Sequence, residues 1–195
     1  MDHKKTKITK KDLFLYIMLL CSCIYLIISR LGGNENDDLT CASEVDLVQC
    51  ELSSIVDGDT IWVIKDGKRT KVRFIGIDTP ESVHADTTKN NAYGEAASDF
   101  TKSVLKDIDS VYLEYDVEPQ DKYGRELAYV WLDPDTSDFN NNCVNALIIS
   151  NGYAMAKTYA PNTKYDDRLI DLCKTSIDNN IGLWKEAGFR KLWEK

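Results

Sequence analysis

Leu52-Ser53-Ser54-Ile55-Val56-Asp57-Gly58-Asp59-Thr60-Ile61-Trp62-Val63-Ile64-Lys65-Asp66-Gly67-Lys68-Arg69-Thr70-Lys71-Val72-Arg73-Phe74-Ile75-Gly76-Ile77 reads as three strands joined by two turns. Residues 52–56 and 61–64 are rich in the β-branched and aromatic side chains that suit a pleated, half-buried surface. Asp57-Gly58-Asp59-Thr60 between them is turn chemistry, and Asp66-Gly67 is a hairpin signal. Residues 72–77 follow as the third strand. Residues 93–107 then switch to helical spacing, with Ala96, Phe100 and Val104 on one face. Val111, Leu113 and Tyr115 alternate as a fourth strand, and residues 127–132 give a fifth. Residues 144–150 form a short helix stopped by Asn151-Gly152. A last helix spans residues 164–178, with Thr163 as its cap and Asp166 and Asp167 in its first turn. The expectation is a mainly β, α+β domain: a small closed barrel of five strands with three helices, over residues 50–185.

The chain has 195 residues, 24 basic against 32 acidic, a net charge of -8, and 43% hydrophobic residues. That composition excludes collagen-like, low-complexity and wholly disordered chains, and argues against a basic coat protein for nucleic acid. The charge is uneven. Residues 1–30 hold six basic and two acidic residues, and the remainder holds 18 basic against 30 acidic, a net of -12. Within the first part, residues 13–29 carry no charge, and as a helix they would span about 25 Å. With Lys4, Lys5, Lys7, Lys10 and Lys11 before it and no small-x-small cleavage site after it, this reads as an uncleaved transmembrane anchor. Residues 31–195 are then extracytoplasmic, and cleavage with secretion is the alternative. Residues 31–49 read as a polar linker, and residues 186–195 as a C-terminal extension.

Cys41, Cys50, Cys143 and Cys173 lie in the exported part. An even number there suggests disulfides, with Cys41–Cys50 and Cys143–Cys173 as one of three pairings; four buried thiols are the alternative. Without a CxxC pair, structural zinc is not expected.

Only two histidines, His3 and His84, are present, and no phosphate loop of the ATPase type occurs. The chemistry gathers instead in Asp57-Gly58-Asp59-Thr60, Arg73 to Glu81, and Asp121-Lys122-Tyr123-Gly124-Arg125. Asp59 and Asp78, at strand edges, are candidates to hold a hard cation such as Ca²⁺, with the Thr79 carbonyl aimed by Pro80. Arg73 and Arg125 are suited to developing charge on a phosphoryl group, and Glu81 to accepting a proton from water. One obstacle is parity. Arg73 and Asp78 are five residues apart, on opposite faces of an ideal strand, unless the chain is re-aimed near Gly76.

Each motif alone is an ordinary turn or strand feature. In their order, Val56-Asp57-Gly58-Asp59-Thr60, Val72-Arg73-Phe74 with Ile77-Asp78-Thr79-Pro80-Glu81, Tyr93-Gly94-Glu95-Ala96-Ala97, and Asp121 to Val130 resemble the staphylococcal nuclease (thermonuclease) family. Val144-Asn145, Gly152-Tyr153-Ala154 and Tyr159-Ala160-Pro161-Asn162 continue the likeness. The resemblance implies an OB-fold barrel and Ca²⁺-dependent hydrolysis of DNA and RNA to 3′-phosphates, with single-stranded or frayed regions favoured and a monomeric enzyme. It implies Asp59, Asp78 and Thr79 as calcium ligands, and Arg73, Glu81 and Arg125 as the catalytic residues. Lys122, Tyr123 and Tyr159 match the substrate-binding rim, and Lys157 stands where a second pocket tyrosine is expected.

The loop 133–142 is longer than the family's turn, and Trp184 and Trp193 read as packing residues. His84 reads as a solvated loop side chain. A non-catalytic OB-fold binding module is the alternative function, but it has no need to retain Arg73, Glu81 and Arg125. A membrane-tethered adhesion domain with structural Ca²⁺ likewise has no use for two arginines beside the carboxylates. In so acidic a domain, substrate binding is expected to rest on the cation and on Arg73, Arg125, Lys122 and Lys157, with a shallow salt dependence.

Overall fold

A computed structural model describes residues 45–81 and 92–194. The apolar segment 13–29, Cys41 and His84 lie outside these residues; among those described, no helix is long and apolar enough to cross a membrane.

The first three strands are β1 (Leu47–Asp57), β2 (Thr60–Lys65) and β3 (Lys68–Phe74). The hairpin turn between β2 and β3 works because Asp66 and Gly67 both take positive φ, 51° and 73°, which matches the twist of the flanking strands. The chain then turns at Gly76 into the short β4 (Ile77–Asp78). Helix α1 (Ala92–Val104) leads to β5 (Ser110–Glu114) and β6 (Glu126–Trp131). Strands β1-β2-β3-β6-β5 close into a barrel, with β3 and β6 as its parallel pair. Inward alternation buries Ile61, Val63, Val72, Phe74, Val111, Leu113, Ala128 and Val130 completely. The five-stranded α+β barrel is thus as the alternation predicts. Strand β1 begins at Leu47, inside the stretch read as linker, because it pairs with β5 from Leu47↔Glu114 onward.

After β6, Asp138 caps a one-turn helix α2 (Phe139–Asn142), so the long loop has structure of its own. Helix α3 (Val144–Ser150) follows, stopped at Gly152 with φ 78°. A short strand β7 (Met155–Ala156) pairs antiparallel with β4. Helix α4 (Asp166–Asp178) begins two residues later than expected. Tyr165 is its N-cap, and Thr163 serves through its backbone, its carbonyl accepting the Asp166 N–H at 3.1 Å.

The start of α4 is fastened by a carboxylate sealed in the barrel wall. Glu114, 1% exposed, accepts the Trp131 indole N–H at 2.8 Å and the Tyr165 hydroxyl at 3.1 Å, and pairs with Lys164. Downstream, a 3₁₀ turn (Gly182–Lys185) and helix α5 (Ala187–Lys191) bring Phe189 into full burial against Trp184 and Tyr93. Residues 186–194 therefore pack into the domain rather than trailing from it. Trp184 is buried and Trp193 lies against Phe189, both as packing residues.

The cysteines correct the disulfide reading. Cys50, Cys143 and Cys173 are free and buried, so Cys143 and Cys173 are not paired. Cys143 takes its place between α2 and α3, and burial pushes its thiol up to about 12, which leaves it unreactive. Cys173 packs on the Met155 sulfur at 3.7 Å. They fill core positions as small apolar side chains.

Candidate active site

The turn after β3 solves the parity problem. Gly76 adopts φ 77°, a conformation that costs a non-glycine residue strain, and a Cβ there would lie 2.4 Å from Leu169 Cδ1. The turn is pinned on both sides: Ile75 N–H donates to Ala128 at 3.0 Å, and Lys157 N–H donates to the Gly76 carbonyl at 3.0 Å. Asn145, fully buried, donates to the Ile75 carbonyl at 2.7 Å and accepts from Val130 N–H at 3.0 Å. Asp78 is thereby turned back towards Arg73. Gly58 matters for closeness: a Cβ there would meet Thr79 Oγ1 at 2.8 Å, and its carbonyl accepts the Thr101 hydroxyl at 2.7 Å.

The result is a carboxylate–guanidinium cluster. Arg73, 8% exposed, pairs through Nη1 with Asp59 and through Nη2 with Asp78 Oδ1 at 2.8 Å. Its Nη2 also lies 3.2 Å from the Tyr159 hydroxyl. Asp59 Oδ2 accepts the Thr79 N–H at 3.0 Å and the Thr79 hydroxyl at 2.9 Å, while Oδ1 accepts the Thr60 hydroxyl at 3.0 Å. Asp78 Oδ2 holds Lys157 Nζ at 2.6 Å. Burial counts against the charge on Lys157, but Asp78 outweighs it and the ammonium pKa is raised.

Arg73 and Arg125 line a single cleft of about 320 Å³, together with Tyr159, Lys122, Tyr123 and Leu127. Arg125 is positioned by Asp121, which takes its Nε at 2.7 Å, its backbone N–H at 3.0 Å and the Tyr123 N–H at 2.9 Å. Burial works against the Asp121 charge, yet these donors hold its carboxyl below the usual range. Tyr123 is 73% exposed on the rim, with Lys122 and Arg125 about its ring at 5.0 and 5.8 Å. Asn162 ties the Tyr159 turn to this loop, bonding both Glu118 N–H and C=O at 2.7 and 2.8 Å.

Asp59, Arg73, Asp78, Thr79, Lys157 and Tyr159 are therefore brought into one network, and Arg125, Lys122 and Tyr123 into the same cleft. Glu81 is exposed beyond β4, and among the described residues no hydrogen bond ties it to the cluster. Asn145 and Asn162 have no role in the sequence reading because their partners are distant in the chain, whereas Asp121 holds its local neighbours Tyr123 and Arg125.

The donors suit a hard dication. Two carboxylates converge on one guanidinium, with a buried threonine beside them, and such oxygens are what Ca²⁺ takes. Among the described residues no third Asp, Glu, His or Cys joins them, so water or phosphate oxygens must complete a coordination shell.

Residues 71–186 match the model of the family described as staphylococcal nuclease homologue. The thermonuclease of Staphylococcus intermedius is 36% identical over 169 residues, covering 87% of this chain and 95% of that protein. The thermonuclease of Staphylococcus hyicus is 43% identical over 130 residues, 67% of this chain and 72% of that protein. Endonuclease YncB of Bacillus subtilis is 36% identical over 149 residues, 73% of this chain and 64% of that protein. With barrel, cleft and sequence in agreement, the chain belongs to the staphylococcal nuclease family.

Proposed function

We propose that this nuclease hydrolyses phosphodiester bonds in DNA and RNA with Ca²⁺, leaving 3′-phosphates, and acts outside a membrane to which residues 13–29 tether it. The observation that carries the reading is the Arg73 guanidinium, fixed by Asp59, Asp78 and Tyr159 on the wall of the cleft that Arg125 also lines. Two preset guanidiniums suit a phosphate whose oxygens gain charge as the bond breaks, because fixed charges need no reorganisation during reaction. Arg73 and Arg125 bind and orient the phosphodiester. Glu81 takes a proton from the attacking water as the water oxygen bonds to phosphorus, and the 5′-oxygen leaves with a proton from solvent. Tyr123 and Tyr159 give bases an aromatic surface, and Lys122 and Lys157 add positive charge beside the phosphates. Asp59, Asp78 and Thr79 would hold the Ca²⁺, which supplies charge neutralisation at the phosphate.

The test is digestion of plasmid DNA and of RNA by the full chain, in Ca²⁺ and in EDTA. Cleavage in Ca²⁺ giving ends that a polymerase extends only after phosphatase treatment is expected, with none in EDTA. Full turnover in EDTA would overturn the metal assignment, and 5′-phosphate ends would overturn the cleavage polarity.

A further inference from the structure

The outer face of the β2–β3 hairpin carries basic residues at strand period. Arg69, Lys71 and Arg73 alternate with the inward Thr70, Val72 and Phe74, so all three stand on the side away from the core. Across the ladder, Thr60 is opposite Arg73, Trp62 opposite Lys71, and Ile64 opposite Arg69. Trp62 is half-buried on that face, with the Arg69 guanidinium 4.6 Å from its ring and the Lys71 ammonium at 5.8 Å. Arg69 also reaches Ser54 of β1 at 3.2 Å. In a region of net charge -12, residues 60–74 hold five basic residues, Lys65, Lys68, Arg69, Lys71 and Arg73, against Asp66 alone. Glu51, opposite Ile64 on β1, bounds the face on its far side.

From this we infer that the Trp62–Arg69–Lys71 face is a second subsite, which holds the nucleic-acid strand as it leaves the cleft at Arg73. The inference rests on the nuclease reading above and extends its substrate from the reacting phosphate to the flanking strand. Three features favour a single strand as the occupant. The face is continuous with the cleft, because Arg73 belongs to both. Alternate residues on a strand stand about 7 Å apart, comparable with the separation of successive phosphates in an extended chain. An aromatic ring flanked by cations offers a base a stacking surface that tolerates any sequence. A folded protein partner would have to match an isolated basic strip with little apolar area. Arg69 and Lys71 thus take phosphates, and Trp62 takes a base once Arg69 swings to its phosphate.

The test measures binding of the full chain, in EDTA to prevent cleavage, to labelled oligothymidylates of dinucleotide and dodecamer length across a salt series. The wild-type chain binds the dodecamer more tightly, and each phosphate contact on a single strand steepens the log–log salt slope by about 0.7. In the Arg69→Gln/Lys71→Gln variant the slope becomes shallower by about 1.4 and the length-dependent gain falls about tenfold. Trp62→Ala weakens the dodecamer while Trp62→Phe restores it, which separates stacking from folding. A variant that keeps the wild-type slope and length gain overturns the subsite, even if Ca²⁺-dependent digestion proceeds normally. A wild-type chain that neither binds nor cleaves nucleic acid overturns both this and the nuclease reading.

Discussion

Two clusters of carboxylates and cations sit on one barrel, and they differ in what holds them. Glu114 is sealed in the wall, its oxygens taken by an indole N–H, a phenol and Lys164. Asp78 stands at the rim, sharing one guanidinium with the buried Asp59, and the half-exposed Lys157 sits on its outer oxygen. The sealed cluster joins α4 to β5 and β6 through two fixed dipoles, the Trp131 N–H and the Tyr165 hydroxyl, together with Lys164. At the rim, both oxygens of Asp78 are held by cations, and cations exchange for other cations, while Asp59 also accepts the Thr60 hydroxyl and the Thr79 N–H and hydroxyl. A site for chemistry and a structural latch can therefore contain the same residue types. Which is which follows from access to solvent and from whether the partners are fixed dipoles or mobile charges.

The largest expected effect separates the clusters by activity. Arg73→Ala and Arg125→Ala should each lower kcat by about 10³-fold or more, equivalent to roughly 4 kcal/mol of lost transition-state stabilisation. Arg73→Ala also strips buried Asp59 of its cation, so it alone should lower the unfolding midpoint. Steady-state rates alongside urea unfolding read both. Wild-type activity in either variant would remove the guanidinium pair from the mechanism.

Glu114→Ala should do the reverse. Removing a buried partner leaves the Trp131 indole and Tyr165 hydroxyl without their acceptor, at a cost of about 3 kcal/mol. Rates measured below the lowered melting point should stay near those of the unmodified chain. A stable variant with lost activity would show that this cluster serves the cleft rather than the fold.

How far the sequence announces these two regions differs for a physical reason. The rim is written in local patterns: Asp57-Gly58-Asp59-Thr60 is a turn whatever surrounds it, and Asp121 to Arg125 forms its own hydrogen-bonded loop. The barrel is legible too, because inward residues of β2, β3 and β5 alternate, while β6 is an apolar run buried throughout from Ala128 to Trp131. The convergence of Arg73 with Asp78 needed a turn at Gly76 that alternation only hinted at. The Glu114 latch was invisible, since Trp131 and Tyr165 are distant in sequence and buried carboxylates look like surface ones. The thiols were misread because cysteine number speaks of compartment, and the core here uses them as apolar volume. The Arg69, Lys71 and Arg73 repeat is local, and a net charge summed over the whole domain averages it away.

A third cluster lies between these extremes and responds to pH. Lys65 Nζ approaches the Tyr115 hydroxyl at 2.9 Å, and both reach Glu126. Burial works against the Lys65 charge, but the hydrogen bonds to Glu126 and Tyr115 prevail and raise it to about 12. Burial, aided by Glu126, also lifts Tyr115 to about 12. Both groups hold protons more tightly folded than unfolded. Their contribution is complete below about pH 10 and is lost as pH rises towards 12, on the order of 1 kcal/mol. Urea unfolding at pH 9 and pH 11 should show the loss, and Lys65→Met/Tyr115→Phe should flatten it. An unchanged slope in that variant would place the alkaline sensitivity elsewhere.

The finest comparison removes one lysine from each of the first two clusters. Lys164→Met leaves a carboxylate that is 2% exposed without the cation it pairs with among the described residues, so the fold weakens. Lys157→Met leaves Asp78 Oδ2 at a side chain 23% exposed, still paired through Oδ1 with Arg73. Water and a metal can both reach it, so stability should change little. What changes is competition. A lysine charge about 4 Å from a dication opposes it by roughly 2 kcal/mol even in a water-like dielectric. Calcium titration by calorimetry should therefore show about thirtyfold tighter binding in Lys157→Met. Lys157→Arg should restore the weaker affinity, because it returns the charge without the ammonium. Weaker calcium binding in Lys157→Met would mean that this lysine orients Asp78 for the metal instead of competing with it, and the rim would then resemble the latch more than its exposure suggests.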